Sequence, residues 1–167
     1  MAKVNEREFW LERLQQADNV RESVYFTPEH DWIRTSEAHR KVIEELCKGK
    51  VLDAGCAYGR TSGWIKNYTG VDICPEFIKI AEDAYPGKKF MVADLTLLPF
   101  EDKEFDWAVC ISIKAMLIRE IGEDYWEKVK AELLRVAKKI LILEYSYKGN
   151  YEIIDNQPQG FPSKTLA

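Results

Sequence analysis

The sequence predicts an α/β domain, a mostly parallel sheet with helices on both faces, and three observations carry that reading. Val51 to Arg60, VLDAGCAYGR, is a short apolar run followed by glycines, a buried strand ending in a sharp backbone turn. About twenty residues on, Tyr68 to Asp72 is a second strand that ends in a carboxylate, the position from which α/β nucleotide sites hold the two hydroxyls of a ribose. From Lys50 onward, strands alternate with helical stretches, the pattern of right-handed crossovers between parallel strands.

The elements follow in order. Asn5 to Ala17 carries Phe9, Trp10 and Leu14 among charges, a helix with one apolar stripe. Asp18 to Arg34 has no clear period but holds Tyr25, Phe26, Pro28, His30 and Trp32, either rings plugging the end of the core or a wall over a bound substrate. The next helix is expected to be capped by Thr35 or Ser36, with Val42, Ile43 and Leu46 on one side and Gly49 past its end. Val51 to Cys56 is the first strand, Arg60 to Asn67 a short helix, and Cys74-Pro75 opens a helix that stops at Pro86-Gly87.

Lys89 to Ala93 is the third strand, ending at Asp94, and Phe105 to Ser112 is a nearly all-apolar fourth, as for a strand covered on both faces. Lys114 to Ile121 reads as helix. Glu123 to Lys139 reads as a longer one, with acids at its start and bases at its end. Ile140 to Tyr145 is the fifth strand, and Tyr151 to Ile154 is a candidate edge strand within a Gly-, Asn- and Pro-rich tail. The organisation expected is residues 1–49 as helices and aromatic loop covering the site, 50–146 as a ligand-binding core, and 147–167 as a tail or short edge strand, all in one domain.

Composition narrows the class. With 167 residues, 46% apolar and 31% charged, the chain has the balance of an ordinary globular domain. No apolar run approaches a membrane span and the first residues lack a signal-peptide core, so a cytoplasmic protein is expected, without a membrane partner. The four cysteines lie far apart, without the spacing of zinc ligands or redox pairs, and read as reduced, buried side chains; no metal is expected. A formal charge of −4 without a basic stripe disfavours nucleic acid as a partner, although a patch assembled only by folding stays open.

Asp53, Gly55, Gly59, Asp72, Asp94 and Ser112 all fall at or near the carboxyl ends of strands, where open parallel sheets bind ligands. Each acid taken singly could equally be a helix cap or turn residue. A dinucleotide fits poorly, because Asp53 inside the loop would repel a pyrophosphate. A ligand that is cationic there and carries adenosine fits better, with its ammonium near Asp53, its ribose on Asp72 and its adenine amino group on Asp94. Those are the parts of S-adenosylmethionine.

The segments VLDAGCAYGR, TGVDICPEFIKIA, MVADLTLLPF with EDKEFDWAVCIS, and LLRVAKKILILEY together resemble the class I S-adenosylmethionine-dependent methyltransferases, in particular the small single-domain group with a Rossmann-like fold. The resemblance spans roughly Lys50 to Tyr145. It implies that Asp53, Gly55, Ala57 and Gly59 line the methionine side of the cofactor and that Asp72 binds the ribose. It further implies that Ile73 packs on the adenine, Asp94 and the Leu95 backbone meet its edge, and Ile111 and Ser112 border the sulfonium. Three departures stand out: Ala57 replaces a glycine, Ala137-Lys138-Lys139 replaces a proline-glycine turn before the fifth strand, and few residues remain for the usual terminal antiparallel hairpin. The sheet is therefore expected to be reduced or completed by a partner, and an uncovered edge favours a homodimer.

Methyl transfer is an in-line displacement at a carbon already activated by positive sulfur, so the protein must chiefly orient the nucleophile and exclude water. A base is required only where the acceptor must lose a proton. Candidates are His30, His39, Lys114, Glu144 and Tyr145; either histidine also fits a surface or capping role, and Glu144 could pair with Lys114. The aromatic N-terminal segment and the acidic balance favour a small-molecule acceptor. A noncatalytic methyltransferase-like scaffold and a nicotinamide-dependent oxidoreductase are the other classes consistent with the sequence.

Overall fold

The computed structural model describes residues 5–17, 29–144, 150–155 and 164–165. In chain order the elements are α1 (Glu6–Gln16), α2 (Glu29–Leu46), β1 (Lys50–Ala54), a 3-10 turn (Arg60–Gly63), β2 (Asn67–Asp72), α3 (Pro75–Ala84) and β3 (Lys89–Val92). There follow β4 (Phe105–Ile111), α4 (Lys114–Glu120), α5 (Glu123–Val136), β5 (Ala137–Leu143), β6 (Asn150–Asp155) and β7 (Lys164–Thr165). They form a seven-stranded sheet of order β3-β2-β1-β4-β5-β6-β7. The first five strands in that order are parallel, and β6 and β7 are antiparallel to their neighbours. Strand order reverses between β1 and β4, so the ligand crevice of an open α/β sheet falls above those two strands.

Alternation along the strands divides the core between the two faces. Leu52, Ala54, Ala108, Cys110, Ile140 and Ile142 pack toward Leu117 of α4 and Trp126, Val129 and Leu133 of α5. Val51, Val109, Leu141 and Leu143 pack toward Val42 and Ile43 of α2 and Ile78 and Ala81 of α3. Both faces are thus covered, which is why β4 and β5 read as continuous apolar runs.

The structure corrects three expectations. Helix α2 begins at Glu29, not at Thr35 or Ser36, so the final residues of the aromatic segment are helical; residues 18–28 lie outside the described residues. Pro28 followed by Glu29 and Asp31 is a start signal of its own, proline and then acids in the first turn. Ser36 Oγ, rather than capping, accepts a hydrogen bond from Arg60 Nη1 at 2.8 Å. Second, α5 ends at Val136 and β5 begins at the very next residue. Ala137 and Lys139 pair with Phe105 and Trp107 of β4, the Lys139 ammonium lies 5.2 Å from the Trp107 ring centre, and Lys103 Nζ reaches the Leu134 and Ala137 carbonyls at the helix end. Third, the terminal antiparallel pair exists in short form: β6 runs along β5, with Leu143 opposite Tyr151, and two residues of β7 pair with β6.

Candidate functional site

The loop after β1 is built around Asp53. Its carboxylate is buried, and Oδ2 accepts hydrogen bonds from the Thr61 hydroxyl and, at 2.9 Å, from the Tyr68 hydroxyl. Asp53 pairs in register with Gly70 of β2, and a Cβ there would stand 2.5 Å from the Tyr68 oxygen and 2.9 Å from the Cys56 sulfur. Glycine at 70 is therefore what lets the Tyr68 hydroxyl reach Asp53. Burial raises the Asp53 pKa, while both hydroxyl donors and the positive charge of Arg60 oppose the rise. Cys56 is buried beside these groups, and burial together with the charges of Asp53 and Asp72 pushes its thiol well up, so it is no nucleophile.

Asp72 closes the loop from the neighbouring strand. Its Oδ2 accepts the Ala57 N–H and its Oδ1 the Cys74 N–H, both at 2.9 Å. The first bond fixes Ala57 at φ +45°, a left-handed conformation that glycine adopts more cheaply, so the loop keeps its shape despite the substitution. Burial lifts Asp72 to about 6, opposed by the backbone donors and reinforced by Asp53.

These residues line a trough of three hollows that share wall residues. Asp53, Gly55, Ala57 and Ile111 border its first part. Gly55, Ala57, Asp72, Leu95, Ile111 and Ser112 border the middle. Ile73 lines both the middle and the far part, where Asp94 stands. Asp94 Oδ1 accepts the Thr96 N–H and hydroxyl, each at 2.7 Å, which folds the turn carrying Leu95. Gly59 is the exception among the expected residues: at φ +80° it faces Phe90 and Ala81 and shapes the turn without lining the trough.

The sequence does not show that α1 contributes to the trough. Helix α1 lies over the middle part and inserts Glu6 and Trp10. Trp10 meets Phe77 of α3 edge-on at 6.3 Å between ring centres, and buried Glu6 accepts the Tyr125 hydroxyl at 3.0 Å. Glu6 lines the middle and far parts alike, and about 50 Å³ of room remains beneath it in the middle one. Burial carries its pKa to about 7, with the charges of Asp72 and Asp94 adding to the rise and the Tyr125 donor opposing it. The charges around the apolar stripe of α1 give no sign that one of its acids faces inward.

The candidate bases are dispersed. His39 is buried in α2 and donates Nε2–H to the Glu144 carbonyl at 3.0 Å; burial lowers its pKa to about 4, so it is a neutral strap between α2 and the end of β5. Lys114 pairs with Glu152 at 2.6 Å, not with Glu144, whose Oε1 accepts the Ala115 N–H at 3.1 Å. His30 falls in α2 but its side chain, like Tyr145 as a whole, lies outside the described residues. Among the described residues no group of His, Cys, Asp and Glu is placed to hold a metal, and no helix is long and apolar enough to cross a membrane.

A Rossmann-like sheet with an acid-lined trough at its switch point defines an α/β domain with a ligand crevice, and comparison with known proteins supplies the family. The model of the methyltransferase domain family matches residues 52–142, and the chain belongs to that family, among the class I S-adenosylmethionine-dependent methyltransferases. It is 36% identical over 99 residues to a tRNA (carboxymethyluridine(34)-5-O)-methyltransferase of Arabidopsis thaliana, covering 58% of this chain and 23% of that one. It is 31% identical over 98 residues to a probable phthiotriol/phenolphthiotriol dimycocerosates methyltransferase of Mycobacterium ulcerans, covering 53% and 37%. The chain thus spans well under half the length of these relatives. Among solved structures, a SAM-dependent methyltransferase of Methanosarcina mazei superposes with a TM-score of 0.52 at 28% identity, covering 60% of this chain and 55% of that one. A Pyrococcus horikoshii protein gives 0.62 at 24% identity over 78% and 64%, a likeness of fold.

Proposed function

We propose that this protein binds S-adenosylmethionine along the trough and transfers its methyl group to a small-molecule acceptor. The observation that carries the reading is the order of the acids: Asp53, Asp72 and Asp94 follow one another along contiguous walls, as the ammonium, ribose and adenine follow one another in the cofactor. On this reading Gly55 and Ala57 face the methionine moiety, Ile73 packs on the adenine, Asp94 and the Leu95 backbone meet its edge, and Ile111 and Ser112 border the sulfonium. The cofactor supplies the electrophilic methyl group, and the chain orients, neutralises charge and excludes water. Residues 1–49 act as the cover, 50–146 as the core and 147–167 as the edge. Four free, buried cysteines suit a cytoplasmic protein, and the edge of β6 beyond its two-residue pairing with β7 suits a homodimer.

Titration calorimetry with S-adenosylhomocysteine and with NAD tests the assignment: the first should bind, and binding of NAD alone would overturn it. Asp72→Ala should weaken S-adenosylhomocysteine at least tenfold. One observation favours a second reading, a noncatalytic cofactor-binding subunit, because α1 leaves so little room under Glu6 and Trp10. Incubation with labelled cofactor and fractionated host extract separates the two, since only the enzyme yields a labelled product.

A further inference from the structure

We propose that the acceptor binds in the hollow between α4 and β6, as a compact apolar molecule bearing a hydroxyl or amine, and that Glu144 takes its proton; the proposal rests on the cofactor reading above. The hollow has a volume of about 560 Å³, within the roughly 300–1,000 Å³ of small-molecule sites. Ala115, Ile118, Ile142 and Tyr151 give it apolar walls.

Its position follows from strand register. Ile111 pairs with Leu143, and the Ser112 N–H donates to the Leu143 carbonyl at 2.7 Å, so Ser112 and Glu144 leave the sheet side by side, roughly 5 Å apart. Ser112 borders the cofactor trough, whereas Glu144, on the same face as Ile142, enters the hollow. Ser112 and Ile113 line the trough, and Lys114 and Ala115, the next residues in the chain, line the hollow. The Glu144 backbone cannot drift, because His39 holds its carbonyl.

Charge selects the class of molecule. Lys114 is paired with Glu152, and Arg119 with Glu120 at 2.6 Å. Glu144 has the Ala115 N–H but no cation within ion-pair distance among the described residues. A carboxylate accepts several hydrogen bonds, and a half-buried one with spare capacity is complemented by an O–H or N–H. An anionic acceptor would face both Glu144 and Glu152. Burial raises the Glu144 pKa, with Glu152 adding and Lys114 opposing, as suits a proton acceptor. In the transfer, the acceptor oxygen or nitrogen bonds to the methyl carbon as the carbon–sulfur bond breaks. The bonding pair stays on sulfur, which becomes a neutral thioether, and the acceptor's proton passes to a Glu144 oxygen.

The test uses the full chain saturated with S-adenosylhomocysteine and NMR titration with three probes of similar size: phenethylamine, 4-ethylphenol and phenylacetate. The amine, the phenol or both should shift the Ala115 amide and Tyr151 resonances, which identifies the acceptor heteroatom, and phenylacetate should not. Glu144→Gln should weaken the binding probe at least tenfold while S-adenosylhomocysteine affinity stays within twofold. Ile118→Trp, which fills the hollow and leaves Glu144 intact, should abolish probe binding. Failure of both donor probes to shift these resonances, equal binding of phenylacetate, or unchanged binding to either variant overturns the proposal alone. Failure of wild-type protein to bind S-adenosylhomocysteine overturns the cofactor reading and this proposal with it.

Discussion

Tyr125, on the first turn of α5, donates its hydroxyl to the buried carboxylate of Glu6 on α1 at 3.0 Å, joining the cover of the trough to its wall. Glu6 also stands near Asp72 and Asp94, so ionising it places a third negative charge against two others. The folded state keeps a proton on Glu6 that the unfolded chain releases near pH 4.5, so stability from this group is complete below that value and declines as pH approaches 7. The full effect is on the order of 3 kcal/mol. Asp72, lifted to about 6 from 3.8, adds a loss in the same direction over a lower window. Hydrogen exchange of α1 amides, corrected for intrinsic rates, should therefore show less protection at pH 8 than at pH 5, and Glu6→Gln should remove most of the difference. Equal protection at both pH values in the wild type would sink this account.

The cover must move or repack for an adenosyl ligand to enter, since about 50 Å³ is far below what such a ligand needs. Trp10→Ala deletes the contact with Phe77 that helps seat α1. Stopped-flow binding of S-adenosylhomocysteine should show an association rate severalfold faster in the variant. An unchanged rate would mean that another step limits entry.

Tyr68→Phe removes one of the two donors to Asp53 while keeping the ring that packs edge-on against Phe90. The loss should be about 1–3 kcal/mol, because a buried carboxylate is left with one hydroxyl partner. Urea unfolding measures it. A shift of the midpoint below experimental error would show that the Thr61 hydroxyl alone satisfies Asp53.

Arg135 separates stability from ligand binding. Its guanidinium donates to the Leu98 and Phe100 carbonyls and pairs with Asp102 and Glu132, pinning the segment after Asp94 to α5. Arg135→Ala should lower the melting temperature, and Arg135→Lys should restore little of it because lysine lacks the planar fork. Cofactor affinity, read by calorimetry below the melting transition, should stay within threefold.

The parts legible in the sequence were those whose cause is local. The β1 run, the carboxylate ending β2 and the proline opening α3 each carry their signal within a few residues, and the structure places Asp53, Asp72, Ile73, Leu95, Ile111 and Ser112 along one trough. What stayed hidden depends on contacts between distant residues. Glu6 reads as one more surface acid until Tyr125, 119 positions away, is brought to it. Ser36 reads as a helix cap because its partner Arg60 is on another element. The end of α5 was overrun because Lys138 and Lys139 suit a helix terminus as well as they suit an edge of strand, and pairing with β4 decides between them.

The direct passage from Val136 into Ala137 leaves no slack between α5 and β5. One inserted residue there, with α5 held in place and the register of β5 on β4 slipping by one, would turn the strand over: Ile140 and Ile142 would exchange faces with Leu141 and Leu143, and Glu144 would swing out of the hollow toward α2. A junction without a loop thus acts as a phase lock, setting in one step which strand residues meet each layer of helices and on which side the acid emerges.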